Sequence, residues 1–413
     1  MRILLLIITA TTISIASAQI SLEEYRSCVL DSSTEVANAT VEIEKAGSTI
    51  KRERTNFLPS ISADGEFSKT FRRDEDNKLW GFSINPQISQ TIYDGGAIRA
   101  AWKQAHSSYE STKYLAEDIK LAMCFEADFA YWQVSATQLY WEATNKYIEI
   151  IKSLYNVVKQ RYSEGYVAKS DLLQVEARLS DAEFSLIATR QNYEQAVHLF
   201  NNLRGEHEPT AVVLSQSIID SIAMPQRILF AEIIIRRPDV SAAEWALKSA
   251  EYGVNITRAA YNPTINAGIG GSWQTFSPNP SGKTYCDAAV MVGVSVPIFH
   301  WGERRHAVAE AKADERIAFN LWEQVRDDIE QEEADGWSAL QSSYAQMQSS
   351  LRNLEIAGEN LDIATYSYNE GQATVLDVLQ AQISWIQIYT NAITARFNYA
   401  VAVSAYMRLT AED

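Results

Sequence analysis

The chain matches itself at an offset of about 206 residues, and this internal repeat limits its fold more than any other feature. Tyr162-Ser163-Glu164-Gly165 lies against Tyr368-Asn369-Glu370-Gly371. At the same offset Asp171, Leu173 and Gln174 meet Asp377, Leu379 and Gln380. Asn192-Tyr193 and Ala196-Val197 meet Asn398-Tyr399 and Ala402-Val403, and Gly96 meets Gly302. With a short slip, Phe57-Leu58-Pro59-Ser60-Ile61 matches Tyr261-Asn262-Pro263-Thr264-Ile265. A length of 413 residues alone suggests two or three domains. The repeat replaces that expectation with two halves, 19–205 and 206–413. Each is read as a helix, two strands, a very long helix, a tight turn and a second long helix. In the second half an equatorial segment precedes the first helix.

The strand regions are amphipathic with period two. Ile61, Ala63, Gly65, Phe67 and Phe71 alternate with Ser60, Ser62, Asp64, Glu66, Ser68 and Thr70. Trp80, Phe82, Ile84, Pro86, Ile88 and Ile92 alternate with Ser83, Asn85, Gln87, Ser89 and Thr91. In the second half Ile265, Ala267, Ile269 and Trp273 oppose Asn266, Gly268, Gly270, Ser272 and Gln274. Ala288, Val290, Val292, Val294 and Val296 oppose Asp287, Gly293 and Ser295. Successive strand side chains point to opposite faces, so each ribbon has an oily and a wet side. The predicted strands, about 60–72, 80–93, 264–276 and 285–298, are long enough for tilted strands to cross a bilayer. Polar linkers join each pair, Arg72 to Lys78 and Ser277 to Lys283. Phe71, Trp80, Tyr93, Trp273, Tyr285 and Phe299 sit near strand ends, where interfacial aromatic girdles belong. Four strands cannot close a barrel, and lipid does not tolerate open edges. Several copies must pool strands, and three copies supply twelve.

The helices are long. Residues 97–162 contain neither glycine nor proline, and apolar residues recur at spacings of three and four. The stripe runs through Leu115, Ile119, Ala122, Phe129, Trp132, Ala136, Leu139, Ala143, Tyr147, Ile150, Leu154 and Val157. About 65 residues in helix make a rod near 100 Å, the scale of a coiled coil. Trp337, Leu340, Tyr344, Met347, Leu351, Leu354 and Leu361 repeat the pattern. Each rod ends near a glycine, with turns near 163–169 and 369–375, and a second helix returns antiparallel.

The amino terminus reads as a secretory signal: Arg2, an apolar run Ile3 to Ala10, then Ala16-Ser17-Ala18, with cleavage after Ala18. Gln19 follows, so no lipid anchor is expected. Beyond it no stretch is long and apolar enough for a transmembrane helix. The apolar fraction of 46% suits a chain that buries a core. A formal net charge of −16 argues against nucleic acid as a partner. Cys28, Cys124 and Cys286 show no disulfide framework or zinc spacing.

Several stretches together resemble the TolC-like outer-membrane efflux protein family: Phe57 to Ala63, Gln90 to Gly96, and the turn blocks Tyr162 to Gln174 and Tyr368 to Gln380. Arg236-Arg237-Pro238-Asp239-Val240, followed by Ala242-Ala243-Glu244, resembles the stretch typical of members serving proton-driven multidrug pumps. The resemblance covers essentially the whole mature chain. It implies a mainly α protein with a transmembrane β part. Three copies form a twelve-stranded outer-membrane barrel and a twelve-helix periplasmic α-barrel of antiparallel coiled coils. The tunnel closes at its periplasmic tip and opens when a periplasmic adaptor and an inner-membrane pump dock. The implied function is a passive exit duct for small molecules. An exit duct for protein secretion is a related reading, and a soluble periplasmic helical scaffold is a rival from another class.

The resemblance also suggests site residues. Asp377 matches a position where the family places a carboxylate ring at the pore entrance. Gln380 stands one helical turn on, where the family can place a second acid, so the ring is weaker or single here. Three carboxylates around an axis attract cations. The plainer reading is an aspartate at a helix start. Asp171 is the counterpart in the first half, where the cap reading is favoured. Gly165 and Gly371 supply backbone freedom to the turns. The tips, with Tyr162, Tyr166, Lys169, Ser170 and Tyr368, are expected to meet the adaptor. His300 and His306 have the wrong spacing for a helical metal site. The pairs Asp327-Asp328 and Glu332-Glu333 read as solvated or tunnel-facing. No nucleophile elbow, phosphate loop or metal signature appears, so neither catalysis nor a cofactor is expected.

Overall fold

The computed structural model describes residues 19–69, 71, 80–206, 212–274 and 285–412. The signal sequence, Thr70, both polar linkers and the side chains of Trp80 and Tyr285 lie outside the described residues. The elements are α1 (Leu22–Ser32), α2 (Thr34–Thr55), β1 (Ser60–Lys69), β2 (Trp80–Tyr93), α3 (Ala97–Ser163) and α4 (Lys169–Leu203). The second half follows with α5 (Phe230–Arg236), α6 (Pro238–Ala259), β3 (Thr264–Gln274), β4 (Tyr285–Ser295), α7 (Glu303–Asn369) and α8 (Val375–Thr410). Both α3 and α7 contain 67 residues. None of the described helices is apolar enough to cross a membrane.

Two elements differ from the sequence expectation. The first helix is broken at Ser33, whose backbone is extended. Its hydroxyl accepts from the Val36 amide at 3.3 Å and starts α2 afresh. β4 stops at Ser295 rather than near 298, because Pro297 has no amide to continue a ladder.

Contacts divide the chain into two compact units. One comprises residues 1–37, 119–236 and 330–413; the other comprises 38–118 and 237–329. The first unit is helical, and its largest core surrounds Tyr25, Tyr131, Phe200 and Val134. Tyr25 stacks on Phe200 with ring centroids 3.8 Å apart and donates to the Phe200 carbonyl at 3.0 Å. The polar end of Tyr25 is thereby satisfied while its ring fills the core. Arg26 forks onto the buried Asp128 carboxylate at 2.6 and 2.7 Å. Arg227 forks likewise onto Glu333 at 2.8 and 2.9 Å. Glu333 is therefore a buried ion-pair partner, not a solvated or tunnel-facing acid. The proposed α3 stripe is buried from Trp132 through Ala143, whereas Leu115 and Phe129 remain exposed in the isolated chain.

The second unit holds a four-stranded antiparallel sheet in the order β1-β2-β3-β4. Its helices are α2, α6, the first part of α3 and the first part of α7. All four junctions between strand and helix lie at one end of the sheet, because every strand starts or finishes there next to a helix.

Candidate functional site

Two features of the structure bear on function: the exposed sheet and the two hairpin tips. The sheet register puts the alternating residues in rows. Ile61 pairs with Ile88, Ile88 with Ile269, and Ile269 with Val290. One row is thus apolar across all four strands, and its ends, Ile61 and Val290, are 80% and 77% exposed. Phe67 beside Phe82, with Phe82 edge-on to Trp273 at 5.4 Å, continues the face. The opposite face is hydrogen-bonded and mostly polar. Ser60 and Ser89 hydroxyls lie 2.8 Å apart, Gln87 donates to Ser62 at 3.1 Å, and Ser272 donates to Asn85 at 2.8 Å. Phe71, Tyr93, Trp273 and Phe299 are exposed near the strand ends. Large exposed apolar patches of this kind mark contact with lipid or another chain.

Each hairpin tip turns on a left-handed glycine, Gly165 at φ 82° and Gly371 at φ 75°. A side chain there would meet open space, so backbone torsion alone makes glycine the fitting residue. The tips then diverge. At the second, Thr374 caps α8 and Asp377 answers it. Thr374 donates through its hydroxyl and amide to Asp377 Oδ2 at 2.7 and 2.8 Å, and the Asp377 amide donates back at 3.4 Å. This capping box uses the carboxylate while leaving it exposed. The Thr374 hydroxyl, then its amide, hold the Asp377 carboxyl below its ordinary value. Gln380 is exposed one turn along the same helix. At the first tip the cap position is Ala168, with no side-chain bond. Asp171 there is half-buried, and its contact is with the Ser170 hydroxyl at 3.4 Å. Asp171 lies in the first turn of α4 as a helix-start acid, whereas the reciprocal capping box is made at the second tip by its counterpart Asp377.

Tyr162, Tyr166, Lys169 and Ser170 are exposed at the first tip. Tyr368 departs from its expectation as an adaptor contact: it is 3% exposed and packs among Leu154, Val158, Val175 and Val378. A residue that sequence reasoning missed covers it. Arg161, in the last turn of α3, lays its guanidinium 4.6 Å from the Tyr368 ring centre. It also donates to the carbonyls of Tyr368 and Asn369 at 3.1 and 3.0 Å. These are the final carbonyls of α7, which a helix leaves unpaired. One cation thus ties the end of the first long helix to the end of the second. The repeat could not reveal it, since Ser367 stands at the matching place. Nearby, Tyr368 OH and Gln382 Oε1 are buried without a protein hydrogen-bond partner.

The Arg236 to Val240 stretch has structural work to do. Pro238 opens α6, and Arg237 forks onto Asp239 at 3.0 and 2.6 Å. Arg236 pairs with Glu412 at 3.3 Å.

The outer membrane efflux protein family matches residues 13–205 and 229–412. The chain is 22% identical over 379 residues to the outer membrane efflux protein BepC of Brucella suis, covering 90% of this chain and 82% of that one. It is 22% identical over 368 residues to the toluene efflux pump outer membrane protein TtgC of Pseudomonas putida, covering 83% and 73%. Its fold follows the crystal structure of CusC with a TM-score of 0.85 and 17% identity, covering 95% of this chain and 92% of that one. A family match across nearly the whole chain is decisive, and the chain belongs to the outer membrane efflux protein family.

Proposed function

We propose that this chain is one third of a gated outer-membrane exit duct, a homotrimer that exports small molecules such as drugs or other toxic compounds. The observation that carries this reading is the apolar row Ile61, Ile88, Ile269 and Val290, exposed on a sheet whose outer strands β1 and β4 each have an unpaired edge. In lipid such edges must be closed by other strands. Three copies joined edge to edge give a twelve-stranded barrel with its oily face outward and its hydrogen-bonded face toward the lumen. The helical hairpins supply the periplasmic tunnel, and the chain does no chemistry. Transport energy comes from a proton-driven inner-membrane pump joined through a periplasmic adaptor. The exposed first-tip residues Tyr162, Tyr166, Lys169 and Ser170 offer the adaptor its surface. Asp377, exposed on α8, supplies the carboxylate of the entrance, with Gln380 beside it and Asp171 in a secondary place.

Oligomer size and single-channel recording of the detergent-extracted protein test this. A trimer that forms discrete, cation-selective channels in planar bilayers is the expected result. A water-soluble monomer from the periplasmic fraction would refute it. Use as a protein-secretion duct, the neighbouring reading, predicts passage of an unfolded polypeptide when an ABC transporter is the inner-membrane partner.

A further inference from the structure

At the helical end of the sheet the two repeats part company. In the first half the turn from β2 into α3 carries Gly95 and Gly96, at φ 74° and 97°. A side chain at Gly95 would strike the Ala259 carbonyl and Asn262 Cβ, each 2.5 Å away. In the second half the corresponding turn carries Trp301 and Gly302, at φ 50° and 86°. The Glu303 amide closes it onto the His300 carbonyl at 2.9 Å. A tryptophan therefore occupies a left-handed position that the other half gives to glycine. For a bulky residue this conformation is strained, and its ring gains no burial in return: it is 90% exposed. Retained strain of this kind points to a task for the side chain. Trp301 meets Phe299 edge-on at 5.0 Å, and Ile298 beside them is 92% exposed.

Behind this apolar prow lies a crevice of about 600 Å³, lined by Arg258 from α6, by Tyr261 and His300, and by Arg304 and Arg305 from the start of α7. All three arginines are exposed, and none has an ion-pair partner among the described residues. Glu303 also lines the crevice and accepts from the Tyr261 hydroxyl at 3.1 Å, so it offsets only part of their charge. An unpaired cluster of three arginines is out of character for a chain of net charge −16. An aromatic pair and an isoleucine in front of arginine forks match one ligand chemistry: acyl chains below a phosphate. We propose that this crevice is a binding site for an anionic glycerophospholipid of the periplasm-facing leaflet. Arg258, Arg304 and Arg305 hold its phosphate headgroup, while Ile298, Phe299 and Trp301 lie among its acyl chains. The proposal rests on the reading of the sheet as membrane-spanning, since only then do these residues reach a leaflet.

The full-length, detergent-extracted protein is titrated with phosphatidylglycerol, phosphatidylcholine or inorganic phosphate in separate arms, and bound lipid is counted by native mass spectrometry. Phosphatidylglycerol is expected to be retained over phosphatidylcholine. Each of R258Q, R304Q and R305Q is expected to weaken its retention about fivefold, the worth of one arginine near an anionic surface. Trp301→Gly, which relieves the strained position, is expected to raise thermal stability while reducing lipid retention; a purely structural tryptophan would change the first without the second. Equal binding of the two lipids, or unchanged binding by the arginine variants, overturns the site. Displacement of the lipid by millimolar phosphate overturns the lipid assignment in favour of a free anion. A triple variant that loses its oligomer instead of its lipid assigns the crevice to subunit contact and also overturns it. Each comparison uses protein already shown to form channels, so failure of the lipid site is distinct from failure of the membrane reading.

Discussion

Arg161 offers the sharpest test of how the ends of the two long helices are tied together. Its guanidinium makes two hydrogen bonds to the last carbonyls of α7 and one ring contact with Tyr368. Hydrogen bonds of this kind contribute about 1 kcal/mol each, and a half-exposed cation over a ring about 0.5–1 kcal/mol. The Tyr368 carbonyl also accepts the Gly371 amide at 3.1 Å, so it keeps one bond when the guanidinium is removed. Arg161→Ala should therefore remove about 2–3 kcal/mol of coupling per protomer between the ends of α3 and α7, with little added penalty, since Asn369 lies at the surface and water can reach it. At about 1.4 kcal/mol per factor of ten, the ratio of released to held tips rises on the order of 30- to 150-fold. Arg161→Lys keeps the charge but cannot fork across two carbonyls, so it should fall between wild type and alanine. Open probability in planar bilayers reads the effect directly, and hydrogen exchange at amides 366–373 reads its location. If alanine leaves both unchanged, Arg161 is an ordinary surface cation and the tip is held elsewhere.

Four further outcomes follow from the structure. With Asp377 at the entrance, as proposed, Asp377→Asn should lower cation selectivity in bilayer recordings; unchanged selectivity would remove Asp377 from the constriction. The Asp377 carboxyl is held below its ordinary value of 3.8 by Thr374, so its contribution is complete above that pH and fades as pH falls through the lower folded value. Thr374→Val should then move the acid loss of selectivity to higher pH, and an unmoved midpoint would show that the capping box is not the cause. Arg26→Leu leaves Asp128 buried, its side chain 2% exposed, without its fork, and should cost about 3–5 kcal/mol by denaturant unfolding. Adding Asp128→Leu should restore most of that loss. Ile88→Arg places a charge in the middle of the apolar row and should cost about 2–4 kcal/mol if that row faces lipid, read as loss of membrane-assembled protein.

Much of this architecture was legible because its physics is periodic. Alternation at two residues placed Ile61, Ile88, Ile269 and Val290 on one side of their strands, and a helix that meets no glycine or proline for over sixty residues has no reason to stop. What could not be read were pairings between distant parts of the chain. Burial of Glu333 depends on Arg227, more than a hundred residues earlier in sequence. Tyr368 is covered by Arg161, 207 positions away. Neither pair has a local signature, since a basic residue in a last helical turn is ordinary chemistry for the dipole.

The repeat explains both the success and the omissions. Two copies of one plan share what the plan requires: the glycines at 165 and 371, the strand pairs and the long hairpins. A reading built on their agreement is blind to the places where they disagree. Those places are where the structure concentrates chemistry. Thr374 turns Asp377 into part of a cap, whereas Ala168 leaves Asp171 without one. Arg161 reaches across to the second tip, and Ser367 does not return the contact. Trp301 takes a strained position where its counterpart is Gly95. In the trimer proposed above, six identical helical hairpins would have no way to move one set against another. The two hairpins of each chain differ at their tips, where the polar link through Arg161 is added to the apolar packing of Tyr368 among Leu154, Val158 and Val378.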